Sequence, residues 1–137
     1  MRNLRTLSLE DGVEICNLAI DAAKAMGIKV VVVVVDVGGW EICNMRMDGA
    51  KFTSISIAQD KAFTSAGHMT QTGKLPTPGN RSIENSNGGR FCLVQGGREV
   101  RVGGQVVGAV GISGAKPSED DECVRLAVEG WRKGSKL

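Results

Sequence analysis

The sequence predicts an α+β domain, with a five-stranded antiparallel sheet and helices on both faces of that sheet. Three observations lead to this prediction: a helical pattern of apolar residues near each chain end, six consecutive valines at residues 30–35, and paired glycines between short apolar runs. Paired glycines suit the tight hairpin turns that connect antiparallel strands. A strand made of valines has no polar side, so other elements must cover both of its faces.

The length and the charge balance limit the classes of function. A chain of 137 residues fits one domain, and we expect residues 1–137 to form a single fold unit. Its net charge is only +2, which argues against nucleic acid and membrane surfaces as partners. No secretory signal and no membrane-spanning run of ~20 apolar residues is visible, so the sequence predicts a cytoplasmic protein.

The cysteines give no sign of a metal site. Cys16, Cys43, Cys92 and Cys123 are far apart, and no C-x-x-C or H-x-H pair accompanies them. In a reducing cytosol they are expected to be small core residues.

The first half of the chain predicts a helix, two strands and a second helix. Ser8 and Asp11 form the pattern of a capping box, so a helix is expected over residues 9–26. The valine strand follows, then a glycine turn and a strand over residues 40–47. The next helix should cover residues 50–66 and end at Gly67, with Phe52 on its buried side and Lys61 on its exposed side.

The second half predicts three short strands and a last helix. The strands are expected at residues 91–94, 99–102 and 106–113, separated by Gly-Gly turns. The helix opens at Pro117, with acidic residues at its start and basic residues at its end. If the first and last helices share one face of the sheet, the middle helix is too short to cover the other face. A neighbouring subunit is then the expected cover, which predicts a homo-oligomer.

One candidate ligand site lies in the polar connection over residues 67–90, which is long for a compact domain. It contains the single histidine, His68, next to Met69. Both residue types can bind haem iron. The commoner alternative is a surface histidine in a loop that wraps around the domain.

Another candidate combines Arg46 and Asp48 on the second strand with Lys61 on the following helix. These side chains could bind an anionic small molecule, since a guanidinium recognises carboxylates through paired hydrogen bonds. The same residues could equally form an internal salt-bridge network, and this interpretation is favoured.

A glycine-rich strand supplies the last candidate, Ser113. Together with Val107, Ala109 and Gly111 it forms a face of small side chains, which lets a helix or a flat ligand approach closely. Helix packing is the commoner cause. The glycine spacing matches neither the dinucleotide fingerprint nor the phosphate-binding loop. With one histidine and no G-x-S-x-G motif, a nucleophile triad is not expected.

Two long segments of the chain carry a recognisable set of motifs: VVDVGGWEICNMRMDGAKFTSISIAQDKAFTSA and GGREVRVGGQVVGAVGISGAKPSEDDECVRLA. They resemble the GlcG/HbpS-like family, which includes the C-terminal domain of PduO-type proteins. The specific features are V-D-x-G-G, R-M-D-G-A, K-A-x-T-S/A and G-x-x-G-x-S-G in that order, and the resemblance covers nearly the whole chain.

The resemblance implies a profilin-like fold, homo-oligomeric assembly and, as in several members, haem as a cofactor. It also implies a role beside diol, glycerol or glycolate metabolism, some of it dependent on cobalamin. Some haem-binding relatives carry a histidine ligand near the start of the first helix, where this chain reads SLEDGVEIC. That ligand is missing, which leaves Cys16, His68 and Met69 as candidates.

The expected function is therefore that of an oligomeric, cytosolic protein that binds a small ligand such as haem and assists a metabolic pathway. One alternative is an enzyme acting on a small carboxylate or aldehyde, with Arg46 as substrate anchor and Lys61 or His68 as the acid–base group. Another is a structural or chaperone-like partner of a cobalamin-dependent enzyme.

Overall fold

A computed structural model describes residues 1–74 and 85–134. The elements follow one another as α1 (Leu9–Met26), β1 (Val31–Asp36), β2 (Glu41–Arg46), α2 (Ser54–His68), β3 (Gly97–Val102), β4 (Gln105–Ser113) and α3 (Pro117–Gly134), with a 3₁₀ turn at Ser86–Gly89. The predicted α+β class is confirmed. The profilin-like arrangement stays a prediction.

The described residues form a sheet with four strands in the order β2-β1-β4-β3, and all neighbours are antiparallel. The prediction of a fifth strand at residues 91–94 is wrong, because this segment packs on α2. The amide of Cys92 donates to Oγ1 of Thr64 at 2.9 Å. The ring of Phe91 stacks on that of Phe63 at a centroid distance of 6.0 Å. β3 is therefore an edge strand.

Helices cover both faces of this sheet, as predicted. α1 and α3 pack on the face that carries Val30, Val32 and Val34. α2 packs on the opposite face, over Val31, Val33 and Val35. None of the six valines is more than 2% exposed. The expectation that a second subunit must cover the valines is wrong, because α2 alone is sufficient.

α2 can cover this face because both surfaces in contact are made of small residues. The helix presents Ala58, Ala62 and Ala66, each at most 7% exposed. A Cβ atom at Gly111 of β4 would collide with the carbonyl oxygen of Ala58. The face of small side chains on β4 therefore receives a helix. Val107 departs from that face and packs on the other side, among the residues that contact α1 and α3.

The helix ends follow local signals with one exception. The capping box of α1 is confirmed, with the amide of Asp11 donating to Oγ of Ser8 at 3.2 Å. α2 does not end at Gly67 as predicted. It runs to His68 and is closed by Met69, which has a left-handed backbone with φ of 54°. His68 is therefore a helical residue. In the part of the chain that is described, no helix is both long and apolar enough to cross a bilayer.

Candidate functional site

Lys61 is buried rather than exposed, which contradicts the sequence-based expectation. Its side chain is 2% exposed, and Nζ donates to the carbonyl oxygen of Ile112 at 2.8 Å and to Oδ2 of Asp120 at 3.2 Å. A Cβ atom at Gly96 would lie 2.7 Å from Nζ, so the glycine leaves room for the ammonium group. Lys61 thus links α2, β4 and α3, and it does not face a substrate.

The carboxylate of Asp120 completes this buried link. Its Oδ1 accepts from the amide of Ala115 at 3.0 Å, just before α3 begins. Burial raises the pKa of the Asp120 carboxyl, although Lys61 and the Ala115 amide oppose the shift. The pair holds the start of α3 against the sheet.

The predicted group of Arg46, Asp48 and Lys61 does not assemble. Arg46 is the last residue of β2, pairs with Val31 of β1 and has an exposed side chain. Asp48 lies exposed in the turn after β2. Lys61 is committed to Asp120, so neither the anion site nor the salt-bridge network that was expected from these three residues is formed.

Two other candidates are displaced by the fold. Cys16 is fully buried in α1, and burial raises the pKa of its thiol, with Cys43 adding to the shift. It cannot reach a ligand at the surface. Ser113 is 6% exposed at the end of β4, on the face that α2 covers. Met69 remains accessible at 58% exposure, while its carbonyl oxygen accepts from Nη2 of Arg101 at 2.9 Å.

His68 lies at the end of α2 with its ring oriented by two contacts. Nδ1 lies 3.2 Å from the carbonyl oxygen of Thr64, one helical turn earlier. Because a carbonyl oxygen only accepts, a hydrogen bond at this contact needs the proton on Nδ1, and the lone pair of that tautomer is on Nε2. The ring meets that of Phe91 edge to face, at 4.7 Å between centroids. Within the described residues, Nε2 has no hydrogen-bond partner.

The aromatic contacts continue from His68 to an arginine. Phe91 stacks on Phe63, and the guanidinium of Arg90 lies 3.9 Å from the centroid of the Phe63 ring. Arg90 also forms an ion pair with Asp60, with 3.6 Å between Nε and Oδ1. Burial raises the pKa of the Asp60 carboxyl above 3.8, although Arg90 opposes the shift. We call these five residues the His68–Arg90 site.

Thr64 fixes the two segments of this site to each other. Its hydroxyl donates to the carbonyl oxygen of Asp60 at 2.7 Å and accepts from the amide of Cys92. The segment that carries Arg90 and Phe91 is therefore held against α2 directly beside His68.

A cleft of about 320 Å³ adjoins the site between α2 and the β1–β2 hairpin. Its walls include Trp40, Glu41, Gln59, Asp60 and Arg90. The Trp40 ring is 78% exposed, so one wall is an accessible aromatic surface. The volume lies at the lower end of the range of small-molecule sites.

This arrangement offers a flat, apolar ligand three kinds of contact. Phe91, Phe63 and Trp40 offer aromatic surface, Arg90 offers a cation, and His68 offers a nitrogen lone pair. Within residues 1–74 and 85–134, no group of three His, Cys, Asp or Glu side chains could surround a metal ion. A single imidazole is a ligand that haem iron accepts, because the porphyrin supplies further nitrogen ligands itself.

Sequence reasoning found His68 and missed the rest of the site. Phe63 was not singled out, and Arg90 and Phe91 were assigned to the end of a loop and to a strand. The one available signal was the length of the connection over residues 67–90. Residues 75–84 of that connection lie outside the described part of the chain.

Comparisons with solved structures find close likenesses along nearly the whole chain. The ORFY protein of Klebsiella pneumoniae is 26% identical, with a TM-score of 0.90 over 96% of this chain and 94% of that one. PduOC, solved as a complex with haem, is 28% identical, with a TM-score of 0.83 over 90% of this chain and 94% of that one. A double mutant of Streptomyces reticuli HbpS is 27% identical, with a TM-score of 0.85 over 95% of this chain and 90% of that one.

A search of curated proteins gave no significant match. A family model described as "Haem degrading protein HbpS-like" matches residues 7–129. That match covers α1, the complete sheet, α2 and most of α3. It confirms the resemblance seen in the sequence motifs, and the chain belongs to the HbpS-like family.

Proposed function

We propose that this chain binds haem at the His68–Arg90 site, with Nε2 of His68 as the iron ligand. The observation that carries the proposal is the 3.2 Å contact between Nδ1 of His68 and the carbonyl oxygen of Thr64. Histidines that bind metals usually donate their other ring nitrogen to a carbonyl or carboxylate, which fixes the ring and raises its basicity. His68 has this arrangement at an exposed position.

The similarity of the chain to a protein solved with haem supports the choice of ligand. The family description, which names haem degradation, points to the same compound. The neighbours of His68 also suit a porphyrin, since aromatic rings stack on flat ligands. Met69 is a second accessible sulfur ligand next to His68, but its side chain has no contact that orients it among the described residues.

We further propose that two or more copies of the chain assemble. The support is the exposure of large apolar side chains around the N-terminal half of α2 and the neighbouring hairpin. Phe52 and Trp40 are each 78% exposed, and Ile57 is 41% exposed. Large apolar side chains that a single chain leaves exposed are a feature of surfaces that bind a protein. A second copy would cover them and would enclose the open cleft beside Arg90.

The test is a haem titration followed by absorbance. We expect a saturable Soret shift at micromolar haem in the wild type, and loss of that shift in His68→Ala. Cys16→Ala is the control, because a buried thiol should not contribute. The function would be abandoned if haem gave no saturable spectral change, or if His68→Ala gave the wild-type spectrum.

We further propose a pathway and a location for the chain. A cytoplasmic role in diol, glycerol or glycolate metabolism rests on the resemblance, and nothing in the fold or the comparisons favours a cobalamin-dependent partner. The alternative of an enzyme using Arg46 and Lys61 has lost its geometric basis, because Lys61 is buried in its pair with Asp120. Retention of haem by protein purified from its native host would support the binding role.

A further inference from the structure

Arg90 presents its guanidinium side chain to the cleft. Its contact with Asp60 runs through Nε at 3.6 Å, which is longer than the roughly 2.8 Å of a strong charged hydrogen bond. In the part of the chain that is described, Nη1 and Nη2 have no partner. The Arg90 side chain is 47% exposed. Two donors on one planar group are therefore available to a ligand at the cleft.

Phe63 holds this guanidinium in place. Cζ of Arg90 lies 3.9 Å from the centroid of the ring, and this contact restricts the motion of the guanidinium and so lowers the entropy lost when it binds a ligand. A planar pair of N–H donors matches the two oxygens of a carboxylate. The site therefore has a receptor for a carboxylate at one end and an imidazole lone pair at the other.

The two ends are positioned by residues of the same helix. Phe63 and His68 belong to α2 and are five positions apart, which is about 7.5 Å along a helix axis. Phe91 contacts both of their rings. A haem molecule presents iron at its centre and carboxylates at its rim, so its chemistry matches this order of groups.

We propose that Arg90 binds a propionate carboxylate, so that the site selects porphyrins with free acid side chains over their esters. This inference rests on the proposed haem function and assigns it a specificity residue. Asp60 competes with the ligand for Arg90. Among the residues that line the cleft, Glu41 is the other carboxylate. Its Oε1 accepts hydrogen bonds from Asn44 and Gln59 at 3.1 Å each.

Iron-free porphyrins separate this inference from the role of His68. Protoporphyrin IX and its dimethyl ester share the flat ring and differ in their carboxylates, and neither can bind His68 through iron. We expect the wild type to bind the free acid about tenfold or more tightly than the ester, since hydrogen bonds to charged groups contribute about 1.5 kcal/mol or more. Fluorescence titration measures both affinities.

Variants of Arg90 test whether this residue causes the preference for the free acid over the ester. Arg90→Gln should reduce the preference for the acid to near unity, and Arg90→Lys should restore only part of it, because an ammonium lacks the planar pair of donors. Asp60→Asn should strengthen binding of the acid by removing the competitor. Arg125→Gln is the matched control. Its guanidinium lies on α3, on the other face of the sheet, where Glu122 and Glu129 hold it.

Each failure points to a different claim. Equal affinity for acid and ester in the wild type, or a preference that survives in Arg90→Gln, would overturn the role of Arg90. Neither result would bear on the proposed role of His68 as the iron ligand, because the Soret shift on haem binding tests that role separately. His68→Ala should keep the acid preference for the iron-free ring, and loss of that preference would also count against a separate carboxylate receptor. Circular dichroism of each variant confirms that it is folded.

Discussion

Nζ of Lys61 lies 3.2 Å from Oδ2 of Asp120, with both side chains at most 3% exposed. The pair joins the helix on one face of the sheet to the helix on the other, through the end of β4. The two residues are 59 positions apart in the sequence. The lysine within the family motif K-A-x-T-S/A is therefore a structural residue in this chain.

Lys61→Met should strongly destabilise the fold. Removing one partner of a buried ion pair leaves the other charge without compensation, which costs about 3–5 kcal/mol. The double variant Lys61→Met with Asp120→Asn should recover part of that loss. Urea denaturation measures the free energy of unfolding. A loss below about 1 kcal/mol in Lys61→Met would show that the pair is not important for stability.

Gly111→Ala should also destabilise the protein, because its methyl group would collide with the carbonyl oxygen of Ala58 and push α2 from the sheet. Overpacking of this kind costs about 1–3 kcal/mol. Gly67→Ala is the contrasting control. It lies within α2, no atom lies within 4 Å of its added Cβ, and alanine favours a helix by up to about 1 kcal/mol. In thermal melting, Gly111→Ala should have a lower melting temperature than the wild type, and Gly67→Ala a higher one.

Phe91→Ala should weaken haem binding several-fold without changing the iron ligand. The Phe91 ring supports both His68 and Phe63, so its removal loosens the site while Nε2 remains available. We expect the Soret maximum of the saturated variant to match that of the wild type. A maximum shifted to that of free haem would instead mean that Phe91 is needed for ligation, and Phe91→Leu tests whether apolar volume is sufficient.

The pKa of Asp60 should be above its ordinary value of 3.8 in the folded protein, mainly because partial burial removes water from the carboxyl. The folded state then binds a proton more readily than the unfolded chain. This contribution to stability is present at low pH and is lost as pH rises from about 3.8 through the raised pKa. Arg90→Gln should raise the pKa further, since Arg90 opposes the shift. NMR titration of the side-chain carboxyl carbon measures both values.

Phe52→Glu should shift the assembly towards monomer. The ring is 78% exposed and lies outside the walls of the cleft, so the charge should disturb an interface without altering haem ligation. Sedimentation velocity of wild type and variant at matched concentrations measures the change. The proposed interface would be wrong if the wild type were monomeric at micromolar concentration, or if both proteins sedimented alike. Leu126→Glu, at an exposed apolar residue of α3 on the other face of the sheet, is the control for the added charge.

Several parts of the fold could be read from nearby residues. The bounds of α1 agree with the prediction, because Ser8, Asp11 and Gly27 act within one helical turn of the helix ends. The β1–β2 hairpin follows from the glycines at its turn. The predicted strand at residues 91–94 is wrong because residues distant in sequence decide the conformation of that segment. Its apolar pattern is compatible with a strand, but its neighbours in space are Phe63 and Thr64 of α2.

The sequence by itself determined the class of the fold, most of its elements, the family and the single histidine around which the site is proposed. Only the tertiary structure decided that Lys61 is buried, that α2 covers the valines without a second subunit, and that Arg90 and Phe63 belong beside His68. The physical reason is the separation in sequence over which each kind of interaction acts. Helix caps, turns and periodicity act over a few residues, whereas burial and ion pairing depend on which distant segments pack together.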